Sequence, residues 1–298
     1  MHEANRLKRL PLYLFTVIDE LKREVEQSGV DVIDLGMGSP DQPCPKHAVE
    51  ELCRQAKVDG NQRYSRADGK IERKLRQTMA NWYKDRFNVD LDPETEVLPL
   101  IGSKEGIAHL SLSFLNNDDI ALVPNPAYPV HFNGVIIAGG ILYNVPLHAE
   151  NGFKPDLKSL TSEVVRMAKL LFVSYPHNPT TAVVDMDFYR EVVAWAKGKE
   201  IIVGSDLAYS EIVFDGYKAP SLLQVKGAKE SGCIEFHTLS KSYNMAGWRI
   251  GFAVGDSKIL KTLAKTKTYV DFGIFRGIQA AAIKVLSGPQ DCIKKTNE

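Results

Sequence analysis

Apolar positions in this chain keep two different rhythms. Near the N-terminus Leu12, Phe15, Ile18 and Val25 stand among Asp19, Glu20, Lys22 and Arg23, a stripe that predicts a helix. The stretch "VIDLGMGSPDQPCP" (32–45) predicts a short strand followed by a turn rich in glycine and proline. Residues 45–58 and 70–87 read as amphipathic helices. From about residue 96 the rhythm changes. "EVLPLIGSKEGIAHLSLSFL" is an apolar run, a Gly–Ser turn and a helix. Further short apolar runs follow at 120–124, 141–146, 170–176, 201–206, 233–240 and 249–255, most of them separated by helical stretches. That alternation predicts an α/β fold on a mainly parallel sheet.

Composition narrows the picture. The chain has 298 residues, with 44% hydrophobic and 25% charged positions, as in ordinary globular enzymes. Lys+Arg and Asp+Glu both count 37. This balance speaks against general nucleic-acid binding or binding to anionic membranes, which draws on a basic excess. No apolar stretch approaches the roughly 20 residues of a membrane span, and the N-terminus lacks the apolar run of a signal peptide. A cytoplasmic protein is expected. Cys44, Cys53, Cys233 and Cys292 form no C-x-x-C and no zinc-finger spacing, so no metal is expected and the thiols are read as free and mostly buried.

In a parallel sheet, ligands bind beyond the carboxyl ends of the strands. The residues after each apolar run therefore carry the candidate chemistry. "GSKEG" (102–106) puts Ser103 and Lys104 at a helix start, which suits an anion or serves as a plain cap. Tyr128, in "NPAYP", either stacks on a planar ligand or covers the core. Asn178, in "HNPT", is a rigid amide donor or a turn former. Asp206, in "SDLAY", is a strand-end carboxylate that needs a partner, or a cap, and Tyr209 follows it. Lys241 lies in "HTLSKSYNMAGWRIGF" with Thr238, Ser240 and Arg249 around it. A desolvated lysine is a nucleophile toward carbonyls, and an arginine fork matches a phosphate. Together these groups are what a pyridoxal phosphate ring needs: an amine, a carboxylate, an amide, a phenol, an aromatic face and a phosphate cup.

Seven segments carry a family resemblance, in order: "LGMGSPD", "YSRADG", "IGSKEG", "VPNPAYPVH", "HNPTT", "SDLAYSEIVFDGYKAPS" and "TLSKSYNMAGWRIGF". Through them the chain resembles the fold-type I, class I/II pyridoxal-phosphate-dependent aminotransferases. It looks nearest to their bacterial alanine (glutamate–pyruvate) and LL-diaminopimelate aminotransferase group. The resemblance implies a three-layer large domain with a mostly parallel sheet plus an incomplete small domain. Its boundaries would be an N-terminal arm over 1–45, a cofactor domain over 46–288 and a tail over 289–298. It implies pyridoxal 5′-phosphate as cofactor and exchange of an amino group between an alanine- or glutamate-like amino acid and a 2-oxo acid. Lys241 would bind the cofactor's aldehyde and then move the substrate's proton. Asp206 would hold the pyridine nitrogen, Asn178 and Tyr209 the ring oxygen, and Tyr128 the ring face. Ser103, Lys104, Thr238, Ser240 and Arg249 would surround the phosphate. Tyr64 would reach the phosphate of a second copy, implying a homodimer, and Gly38 would lie near the substrate carboxylate.

The chain also departs from that pattern. It closes at "SGPQDCIKKTNE", where family members continue, so a C-terminally truncated form without the carboxylate-binding arginine is expected. The opening helix's stripe is then expected to lack a packing partner. Thr181 stands where many relatives carry glycine, and Ile274, Arg276 and Gly277 replace small hydroxyl residues and a proline. Another pyridoxal phosphate reaction, such as a β-lyase, and an inactive cofactor-binding remnant are the competing readings.

Overall fold

The structure, a computed structural model, describes residues 2–36 and 38–298, so Met37 of "LGMGSPD" lies outside the described residues. Seven runs pair into one sheet: Val97–Leu100 (β1), Ile120–Asn125 (β2), Ile141–Pro146 (β3), Ala168–Ser174 (β4), Ile202–Asp206 (β5), Cys233–Thr238 (β6) and Gly251–Gly255 (β7). The order is β1-β7-β6-β5-β4-β2-β3. Only β7 runs antiparallel to its neighbours. Every apolar run predicted beyond residue 96 is therefore a strand.

The central strands are apolar on both faces because helices cover both. On one face Leu170, Phe172 and Ala253 meet Ile107 and Leu110 of the helix Ser103–Phe114, and Ile259 and Leu263 of the helix Ser257–Val270. On the other, Val173, Val203 and Phe252 join Leu75, Met79 and Trp82 of the helix Lys70–Phe87 and Phe188 of the helix Met186–Ala196. Burying a side chain of this size contributes about 1.5–3 kcal/mol. The predicted helices over 45–58 and 70–87 are found at Lys46–Ala56 and Lys70–Phe87.

Two expectations are corrected. No strand forms in 32–36: Ile33 and Leu35 are 84% and 90% exposed. An apolar run becomes a strand only when a neighbour accepts its ladder bonds, and this segment has none among the described residues. The cysteines are free but not mostly buried. Only Cys233, on β6, is fully enclosed; Cys44 and Cys292 are half-buried and Cys53 is exposed. Cys53 lies off the buried side of its helix, which turns Ala48 and Glu51 inward. The striped helix, Leu14–Gln27, has no buried residue, so its apolar stripe has no enclosing partner among the described residues.

A polar knot crosses the second face. Glu235 of β6 is fully buried and accepts from Tyr83 Oη (2.8 Å), Leu222 N (2.9 Å) and Ser205 Oγ (3.3 Å), with His237 Nε2 2.9 Å away. Removing the carboxylate strands these groups out of water, where each unpaired donor is costly. Glu235→Ala is expected to lower stability by about 3 kcal/mol or more, read as a reduced urea midpoint at unchanged m-value. A loss of less than about 1 kcal/mol would show that the knot contributes only packing.

Candidate active site

The parallel strands end on one edge, and their register decides what meets there. Ser174 pairs with Asp206, Asp206 with Phe236, and Thr238 with Gly251, which also pairs with Leu100. The turn after β1, the turn after β6 and the start of β7 therefore converge. Gly251 makes the convergence possible: a Cβ there would stand 2.5 Å from His237 O and 2.9 Å from Ser103 N. Gly102 holds φ +77, and a Cβ on it would stand 2.4 Å from Arg249 Nη2. The result is a cradle in which the start of the helix Ser103–Phe114 faces an arginine fork. Thr238 caps the short helix Leu239–Ser242, accepting from Ser240 N (3.2 Å) and donating to Ser240 Oγ (2.9 Å). Arg249 is tied by Nη1 to Ala246 O (2.8 Å).

Asp206 is buried (6% exposed) at the end of β5. His131 Nε2 donates to its Oδ2 (3.1 Å), and His131 is itself enclosed, stacked on Phe172 at 5.4 Å. Asp206 Oδ1 is buried with no hydrogen-bond partner among the described residues. A buried carboxylate oxygen without a donor is costly, and this one is available to accept a ligand's N–H. Asn178 Nδ2 donates to Tyr209 Oη (3.4 Å). Burial, with Asp206's charge nearby, pushes the Tyr209 phenol up. Burial also raises Tyr128, which is half-buried at the start of the helix Pro129–Ala138.

Lys241 Nζ donates to Gly38 O (2.6 Å) and lies 5.7 Å from the Tyr209 ring centroid. Burial pulls its ammonium below the usual lysine range, which favours the neutral, nucleophilic amine. The N-terminal segment thus reaches the site through Gly38. Lys104 is exposed, with Nζ 5.9 Å over the Tyr128 ring and 5.7 Å over that of Tyr13.

The structure thus brings Ser103, Lys104, Tyr128, Asn178, Asp206, Tyr209, Thr238, Ser240, Lys241, Arg249 and Gly38 to one edge. Tyr64 is apart from them, 85% exposed and edge-on to Phe272 at 5.6 Å. Arg276 donates to Glu72 Oε1 (2.9 Å) and Gly60 O (3.0 Å). Thr181 holds φ +60, the left-handed region in which glycine is at ease, which accounts for the glycine expected there. His131 escaped the sequence reading. Its signal was its place three residues after Tyr128, on one side of a helix start. The orphaned Asp206 oxygen, the half-buried amine and the glycine-lined cradle fit a pyridoxal phosphate ring, aldehyde and phosphate respectively.

Comparison with known proteins agrees with this geometry. The family model for aminotransferase class I and II matches residues 30–298. The LL-diaminopimelate aminotransferase of Moorella thermoacetica is 50% identical over 291 residues, 98% of this chain and 74% of the relative. That of Aquifex aeolicus is 50% identical over 295 residues, 99% of this chain and 76% of the relative. The chain thus spans about three quarters of these relatives. Among solved structures, substrate-bound BacF from Bacillus subtilis superposes with a TM-score of 0.93 at 37% identity, covering 100% of this chain and 74% of that one. A probable N-succinyldiaminopimelate aminotransferase from Thermus thermophilus gives 0.90 at 35% identity, covering 96% and 76%. Among the described residues no helix is long and apolar enough to cross a membrane.

His177, in "HNPTT", yields a pH prediction. Burial, with His131 beside it, lowers its pKa from 6.5 to about 4. The unfolded chain takes up this proton near pH 6.5, whereas the folded one resists until about pH 4. Stability is therefore lost as pH falls across that window, by up to about 3 kcal/mol from this group. His177→Asn is expected to flatten the urea midpoint against pH there; an unchanged slope would mean that His177 titrates normally.

Proposed function

Because the chain belongs to the class I and II aminotransferases, pyridoxal 5′-phosphate enzymes that exchange an amino group between an amino acid and a 2-oxo acid, we propose how its own residues divide that work and LL-diaminopimelate as its amino donor. The observation that carries the residue roles is the buried Asp206 carboxylate, one oxygen held by His131 and the other unpartnered, on the same sheet edge as the half-buried Lys241 amine. When bound, pyridoxal phosphate supplies an aldehyde and an electron-accepting ring.

Lys241 would be the residue that holds the cofactor's aldehyde. It would also be the base that takes the substrate's Cα proton and returns it. Its depressed pKa keeps a larger share of the amine neutral at working pH. Asp206 Oδ1 would accept from the ring N–H, and His131 keeps the carboxylate aimed by holding Oδ2. Asn178 and Tyr209, already hydrogen-bonded to each other, meet the ring oxygen, and Tyr128 covers the ring. Ser103, Lys104, Thr238, Ser240 and Arg249 hold the phosphate. Gly38 O, which accepts from Lys241, lies where the substrate arrives. Tyr64, with the exposed Tyr269 and Phe272 on the same apolar edge, faces the second subunit of a homodimer.

The donor rests on the curated relatives at about half identity that carry the LL-diaminopimelate name. Alanine and glutamate are the second reading, from the motif resemblance. Adding each amino acid to the cofactor-loaded protein and following conversion of the aldehyde's absorbance ranks them. LL-diaminopimelate is expected to give the highest kcat/KM; conversion by alanine or glutamate alone would reverse the ranking. Lys241→Ala is expected to lower single-turnover proton transfer by about 10²–10⁴-fold or more. Near-normal rates in that variant would remove Lys241 from its role.

A further inference from the structure

The helix Ser103–Phe114 is tied on its far side to the helix Ser257–Val270 by a buried charged cluster that the proposed chemistry leaves idle. Glu105 Oε2 accepts from Ile101 N (2.8 Å) and from Lys267 Nζ (3.1 Å). Lys267 is 5% exposed and also donates to Asp271 Oδ1 (2.7 Å). His109, one turn after Glu105 and likewise buried, has Nδ1 2.7 Å from Glu105 Oε1 and 3.9 Å from Asp271 Oδ2. Ser113 Oγ and Thr266 Oγ1, 2.7 Å apart, join the same two helices further along.

Charges buried this way are a poor route to stability, since well-packed apolar residues commonly do as well. What the cluster holds is the better guide to its use. Ile101 is the residue before Gly102, and Gly102 sets the turn that presents Ser103 N beside Arg249. The Ile101 N–H therefore points inward to a carboxylate while the next amides open the helix. Burial pushes the Glu105 carboxyl up, but the adjacent His109 imidazole, the Lys267 charge and Ile101 N outweigh it and hold it below its ordinary range. The grip on Ile101 N is thus made by a charged acceptor, which bonds more strongly than a neutral one. At the other end Phe272 N donates to Lys267 O (2.9 Å), and the Phe272 ring meets Tyr64 edge-on. The cluster therefore spans from the cradle to the edge that bears Tyr64.

We propose that Glu105 is a positioning residue for cofactor phosphate: anchored by Lys267, which Asp271 in turn holds, its carboxylate grips Ile101 N and keeps the Gly102–Ser103 turn in the shape that receives the phosphate. The inference rests on reading the Gly102–Arg249 cradle as the phosphate site, and its test separates the two. Cofactor-free protein is titrated with pyridoxal 5′-phosphate and, separately, with pyridoxal, which lacks the phosphate, and absorbance of the bound aldehyde is followed. Wild type binds the phosphate form more tightly. Glu105→Gln raises the Kd for pyridoxal phosphate about tenfold and leaves that for pyridoxal unchanged, so the preference shrinks by the same factor. Glu105→Asp, which keeps the charge but shortens the reach to Ile101 N, shifts the preference in the same direction and guards against a misfolded Gln variant. A preserved preference in both variants overturns the role of Glu105, and so does an equal loss of affinity for both probes, which marks general loosening. A wild type that does not distinguish the two probes overturns the phosphate site itself.

Discussion

A carboxylate withdrawn from water at the end of β5 sets the terms for everything around it. Asp206 is buried at the strand's end, and its charge cannot stay there uncompensated. His131 meets one oxygen, and Phe172 stacked beneath the imidazole keeps that donor from turning away. The second oxygen has no donor among the described residues. Protein interiors rarely leave such an atom unpaired, so it is open to a donor from a ligand. A protonated ring nitrogen is a donor of the right kind, and the field of Asp206 favours keeping it protonated.

The second constraint is backbone proximity. β7 runs antiparallel between β1 and β6, so its first residue is shared by two ladders. Gly251 has no side chain to hold the strands apart, and Gly102 accepts a backbone angle that other residues resist. These two absences of a Cβ bring helix N–H groups and a guanidinium into one small cradle. Anion binding there draws on partial charges that exist before any ligand arrives, which limits reorganisation on binding.

The two faces of the sheet carry different polar loads. Under one, Glu235, His237 and Tyr83 form a closed network in which the carboxylate meets donors on both oxygens. It lies beneath the strand that leads into Lys241 and gives that strand a fixed seat. Under the other, Glu105, His109, Lys267 and Asp271 back the Gly102–Ser103 turn. Both networks lie behind the reactive edge rather than in it. Groups that touch the ligand are thus held by groups that do not, and small errors in aim are damped.

Local sequence already determined the alternation of strands and helices beyond residue 96, because short apolar runs between amphipathic stretches can be buried on both faces in few other ways. It also determined which residues stand at strand ends, hence Lys241, Asp206, Asn178, Tyr209 and the Ser103 and Arg249 cradle. Tertiary structure alone decided the rest. An apolar run at 32–36 stayed unpaired, since pairing depends on a neighbour and not on the run itself. Cys53 faced outward because its helix turns Ala48 and Glu51 inward, a choice that spacing did not specify. His131 and Glu105 gained their importance from what lies across from them, Asp206 some 75 positions away and Lys267 some 162. Hydrogen bonds between such distant residues depend on chain folding, and no local pattern records them.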